Sequence, residues 1–301
     1  MTQRFQNQSP ITVAKDVFKN ARKKALTALV AALLCLPFVP AQSQSLSQSI
    51  ADSILNEGYN LYQLELAGIT ASRFIEENLS VEGLHGSFAY ERADSIMVVF
   101  FTRNGKKEEV KYTFGFQRPV SAEYFATNGD PRKFNAQEKQ LRKIRSKVVK
   151  KVNKDEYMRS VYQDAILNMI FLKRDELVSA YLLSGLQSAG VIPLGNDFVL
   201  TYKPSGKLLH TEPLHQNLIP IKARVPKSND TVAFSTMHVH SDKSSPFITP
   251  TDVCTMFLYR HLLQWDTHFV FSEKYVSVLF LKEEKLTLMT TEEFERWKER
   301  L

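Results

Sequence analysis

Cysteine is scarce in this sequence: two residues, Cys35 and Cys254, in a chain of 301. At most one disulfide could form. Cys35 lies in an N-terminal segment with the marks of removal, which would leave Cys254 alone, so the fold must rest on its core rather than on cross-links. Cys254 sits in the apolar stretch "DVCTMFLY" and reads as a small buried hydrophobe, not a nucleophile. Long apolar runs are also lacking. The longest, Ala25–Val39, is short of the about 20 residues that a membrane span needs. The formal charge of +7 gives little support to a polyanion-binding surface over the whole protein. Residues 1–41 carry six Lys/Arg against one acid, whereas residues 42–301 carry 33 Lys/Arg against 31 Asp/Glu. No internal repeat is present, and nucleic acid is not an expected partner.

What is present begins with "NARKKALTALVAALLCLPFVPAQSQS". Basic residues ending at Lys24, an apolar run, a proline and the small residue Ala41 follow the order of a secretory signal. Export to the periplasm or the extracellular space is the expectation, with cleavage after Ala41. If the segment were not cleaved it would act as a membrane anchor. Residues 42–49, "QSQSLSQS", read as a flexible lead.

The hydrophobic fraction of the whole chain, 44%, is ample for a core, and beyond this lead the patterning predicts an α+β fold: an antiparallel or mixed sheet flanked by helices. Apolar residues from Ile50 to Leu79 recur at helical spacing, with a break expected at Gly58. "GSFAYER", "SIMVVFFTR" and "EEVKYTFGFQ" read as three antiparallel strands, with Asn104-Gly105 at a tight turn and Pro119 ending the third. Residues 134–154 form a basic helix with Leu141, Ile144, Val148 and Val152 on one stripe. Its charged side reads as a solvated face or as a surface for anionic lipid or polysaccharide. A second helix is expected from Tyr157 to Phe171. From 176 the chain reads as strands, then as a helix capped by Thr249 or Thr251, a strand pair around Ser272–Lys274 and a final helix near Thr291. Residues 42–175, helix and hairpins, and 176–301, a strand-rich C-terminal sheet, form the two expected regions.

The stretch "TMHVHSDKSSPFITPTD" carries the chemistry. Side chains alternate along a strand, so His238 and His240 share a face roughly 7 Å apart, within reach of one ion. A polar loop follows and enters a helix near Asp252. Two imidazoles and a carboxylate would make three ligands of a tetrahedral zinc, leaving the fourth position open for a reacting water.

This His-x-His, loop, Thr-x-x-Asp order resembles the JAB/MPN metalloprotease family and its JAMM motif. The resemblance implies zinc on His238, His240 and Asp252, with Thr249 assisting at the reaction centre. The family's base is a glutamate on an earlier strand. Here the nearest acid of that kind is Asp197, in "GNDFVLTY", which is taken as the base. The function implied is a metal-dependent peptidase or isopeptidase acting on a peptide or protein substrate. The alternative is a non-enzymatic envelope binding or scaffold protein with a degenerate metal site. "GNDF" and "HVH…ITPTD" also resemble exported proteins of Bacteroidetes-type bacteria, which bears on location. His210 and His215 could supply a third or fourth imidazole, whereas His85, His261 and His268 read as ordinary histidines.

Overall fold

The computed structural model describes residues 41–121, 125–162, 166–185, 190–222, 235–241, 244–262 and 265–300. The export segment expected over 1–41 lies outside them except for Ala41. Among the described residues, no helix is long and apolar enough to cross a membrane.

The fold is mixed α+β, with five helices and four sheets among these residues. Helix α1 (Ala41–Asn78) leads into a meander of β1 (Leu84–Arg92), β2 (Ser95–Asn104), β3 (Lys107–Gln117) and β4 (Phe125–Arg132), paired in that order. Helices α2 (Ala136–Lys154) and α3 (Glu156–Tyr162) follow. A second antiparallel sheet has the order β5-β6-β8-β9, from β5 (Leu167–Arg174), β6 (Leu177–Ser184), β8 (Phe198–Tyr202) and β9 (Leu208–Pro213). Among the described residues, strand β7 (Val191–Gly195) pairs only with β10 (Leu218–Lys222). The last sheet has the order β11-β12-β13-β14: β11 (Ser235–Val239), β12 (Thr267–Phe271), β13 (Tyr275–Phe280) and β14 (Lys285–Thr290). Helix α4 (Pro250–Tyr259) connects β11 to β12, which run parallel, and α5 (Thr291–Lys298) closes the chain.

Strands buried on both faces hold the layers together. Met97, Val99 and Phe101 of β2 pack with α2 and the second sheet, while Ile96, Val98 and Phe100 on its other face pack under α1. Strand β6 does the same, with Val178, Ala180 and Leu182 on one side and Tyr181 and Leu183 on the other. Both strands are therefore buried on both faces. The third core joins the start of α1 (Ala51) to α4 (Val253, Met256, Phe257), β7 (Leu194) and the last sheet (Val270, Leu279, Leu286).

Several expectations need correction. Helix α1 does not break at Gly58, and it takes in the 42–49 stretch expected to be a flexible lead. The glycine is needed for contact: a Cβ there would lie 2.8 Å from Pro250 O and closer still to Val253, so α4 can approach α1 only where α1 has no side chain. The helix expected over 157–171 ends at Tyr162, and "LNMIFLKR" is strand β5. Its consecutive buried residues Ile170, Phe171 and Leu172 serve two cores, and such a strand lacks the alternation that would mark it. The hairpin turn is Gly105-Lys106, because Asn104 pairs with Lys107; the positive φ of 60° falls on Gly105. The boundary expected between 175 and 176 lies at the turn of the β5–β6 hairpin, whose strands pair along their length.

Candidate metal centre

Three chain segments converge behind α4. Strand β11 supplies His238, and His240 follows at its end, with its backbone N–H donating to Phe271 O at 2.8 Å. Both rings point inward while Met237 and Val239 face solvent, as strand alternation requires. The second segment is the β9–β10 connection, which carries His215. It is anchored by Leu214 N–H to Asp197 O (2.8 Å) and Asn196 N–H to Asn217 O (3.1 Å). Gly195, at φ +89°, makes room for that connection, because any Cβ there would collide with Asn217 O. The third segment is the start of α4. Thr249 is its N-cap: its hydroxyl accepts from Asp252 N–H, and Asp252 Oδ2 accepts from Thr249 N–H (2.9 Å) and from the Thr249 hydroxyl (2.8 Å). This reciprocal capping fixes the carboxylate at the helix start and leaves Oδ1 without a hydrogen bond.

The donor atoms meet at one point. His238 Nε2 and His240 Nε2 are 2.9 Å apart, and His215 Nε2 is 3.2 Å from His240 Nε2. Asp252 Oδ1 lies 3.1 Å from His215 Nε2, and Oδ2 lies 3.6 Å and 3.8 Å from the Nε2 atoms of His240 and His238. All four donors fall within 4.8 Å of one another. Zinc bonds of 2.0–2.1 Å in a tetrahedron would separate neighbouring donors by about 3.3 Å. The centre is enclosed: His215, His238 and His240 are 4–5% exposed and Asp252 is 0% exposed.

The outer nitrogens are held as well. Ser245 O lies 2.8 Å from His240 Nδ1, and a carbonyl can only accept, so the hydrogen is on Nδ1 and the Nε2 lone pair faces inward. His238 Nδ1 meets His268 Nε2 at 3.0 Å. His215 Nδ1 lies 3.3 Å from Asp197 Oδ2, an ion-pair distance without hydrogen-bond alignment. Partners of this kind set the tautomer and aim of metal-ligating histidines.

Electrostatics agree with a site built around charge. Burial opposes a charged His215, but Asp252 and Asp197 override it and push its pKa up to about 10. An imidazolium therefore stands among the carboxylates in the metal-free protein, and metal uptake would release its proton. Burial takes His238 down to about 4 and His268 to about 3, so both rings are neutral. Asp252 is held well below the usual range: burial opposes its ionisation, and the charge of His215 outweighs that. Burial pushes Asp197 up, with His215 opposing.

This group of three histidines and one aspartate could hold a metal ion. His238, His240 and Asp252 come together as the spacing implies. His215 joins them as a fourth donor, so the arrangement has no fourth position left open by the protein. His210 does not take part: it is exposed on β9, 3.6 Å from Glu212. Asp197 stands behind His215, and Thr249 caps the helix that bears Asp252. His268 is not an ordinary histidine. It occupies the buried parity of β12 together with Val270 and meets His238 Nδ1. Cys254 is buried, and burial holds its thiol well above its ordinary pKa.

Fold and site together define an α+β protein with a buried three-histidine, one-aspartate centre. No family model, curated protein or solved structure matches the chain.

Proposed function

We propose that this chain is an exported, non-enzymatic zinc protein of the cell envelope, a binding or scaffold protein in which the metal fastens the last sheet and α4 to the β9–β10 connection. One observation carries the reading: four buried donors face one point, the outer nitrogens of His238 and His240 are met by His268 and Ser245 O, and that of His215 lies 3.3 Å from the Asp197 carboxylate. Imidazole and carboxylate donors at tetrahedral spacing suit zinc. A full set of protein donors is the mark of a structural site, whereas catalytic zinc keeps an open position. Export rests on the basic, apolar, small-residue order of residues 19–41.

A second reading is the JAB-like peptidase or isopeptidase acting on a peptide or protein. The meeting of His238, His240 and Thr249-x-x-Asp252 at one point favours it. In that reading water must displace one protein donor, and Asp197 would act as the base from behind His215.

Removing the metal separates the two. Zinc present at about 1,000 times its dissociation constant stabilises by about 4 kcal/mol, which for a chain of this size is about 10 °C in Tm. Chelation of the purified full-length protein is expected to lower Tm by that amount, reversibly on adding zinc. An unchanged Tm after the zinc is gone, together with zinc-dependent cleavage of a peptide library, would favour the peptidase instead.

A further inference from the structure

Helix α2 carries a charge pattern that the metal centre does not use. Its inner face is buried through Leu141, Ile144, Val148 and Val152. Along its solvent crest stand Lys139, Lys143, Lys147, Lys150 and Lys154, all exposed and spaced at four, four, three and four residues. That spacing places five ammonium groups in one row along about 22 Å of helix. Neighbouring like charges at these spacings destabilise a helix, and no acid is interleaved to relieve them.

A second element adds to the row. The β8–β9 turn, "KPSGK", packs against its middle: Lys147 Nζ donates to Gly206 O, and a Cβ on Gly206 would lie 3.1 Å from that nitrogen and 3.6 Å from Lys143 Cε. Lys203 and Lys207, at the two ends of this turn, are also exposed. None of the seven lysines takes part in an ion pair among the described residues. Of the nearby carboxylates, Glu108 is engaged by Arg103 and Arg142 and Asp155 by Lys151, while Glu156 stands exposed past the end of the row.

We infer that the α2 crest and the β8–β9 turn form a docking face for a membrane surface bearing anionic phosphate headgroups. Lysine presents a compact, hydrated point charge rather than the planar fork that grips one phosphate in a pocket. A straight row of such charges fits a plane of headgroups, and juxtamembrane basic clusters bind anionic lipid in this way. The crest has no aromatic residue on which a nucleic-acid base could stack. An exported chain that stays near a membrane would meet such a surface, but the inference does not rest on the zinc reading.

The test is flotation of the full-length protein with vesicles of about 30% phosphatidylglycerol in phosphatidylcholine, beside vesicles of phosphatidylcholine alone. The variant replaces Lys139, Lys143, Lys147, Lys150 and Lys154 with Gln. A charge-matched control replaces the exposed Lys106, Lys173, Lys222, Lys274 and Lys285 with Gln. The parent is expected to bind the anionic vesicles only, and to be released as salt is raised to about 0.5 M. The crest variant should bind at least roughly 100-fold more weakly with Tm not lowered, since relief of the like-charge row offsets the lost Lys147 contact, and the control within roughly threefold of the parent. Equal binding to neutral vesicles, no binding to either, or equal loss in the control would overturn the inference. So would retention on a soluble sulfated glycan without vesicle binding.

Discussion

Two polar clusters buried among the described residues are finished differently. In the first, Glu138 of α2 is fully buried and fully partnered. It accepts from Tyr90 Oη at 2.9 Å, from two Arg132 nitrogens at 2.8 Å and from Asn135 N–H at 2.8 Å. Burial opposes its charge, but Arg132 and the hydrogen bonds hold the carboxyl below its usual range. In the second, the histidine cluster, nitrogens face nitrogens. Of the five buried side-chain atoms without a hydrogen-bond partner among the described residues, four belong to this cluster and its outer partners: Asp197 Oδ2, His215 Nδ1, Asp252 Oδ1 and His268 Nδ1. A satisfied network stabilises the fold as it stands. Of the four, Asp252 Oδ1 faces the point where the histidine nitrogens meet, and a buried acceptor left unmet there is costly unless a cation completes it. The contrast separates a structural ion pair from a metal centre more clearly than burial does, since both clusters are inside.

Two substitutions sharpen the contrast. Glu138→Ala removes the buried carboxylate that Tyr90, Arg132 and the Asn135 N–H share and should cost about 3 kcal/mol of stability, read by urea denaturation, with zinc affinity unchanged. A loss of zinc from this variant would mean that the clusters are not independent. Asp197→Asn is the smaller change. It keeps the shape behind His215 but removes the negative charge, and should weaken zinc binding roughly 10- to 100-fold in a competition titration with a chromophoric chelator. An unchanged affinity would remove Asp197 from the account of the site.

The site's nearer half was legible because strand alternation and helix capping are local rules. They place His238 and His240 on one face and put Thr249 and Asp252 at a helix start. The farther half depends on tertiary pairing. Whether His210 or His215 joins is decided by the end of β9: His210 stays on the exposed strand, and His215 lies past it, where Gly195 admits the turning chain. His268 required the parallel β11–β12 register, in which His238 lies opposite Val270 and Thr236 opposite His268. Strand β7 is hard to read from the sequence for a related reason. "VIPLG" carries a proline, which argues against a central strand, and here Pro193 faces Pro220 in a ribbon where each strand has one partner. Gly58 shows the same limit on a helix: its role is set by α4, which lies far along the chain.

The most direct measurement is the zinc content of the purified full-length protein by elemental mass spectrometry, beside a His238→Ala/His240→Ala double variant and Glu138→Ala. One zinc per chain in the parent and in Glu138→Ala, and none in the double variant, is the predicted result. A parent that holds no stoichiometric metal after dialysis against zinc, or a double variant that holds as much as the parent, would contradict the assignment of the centre.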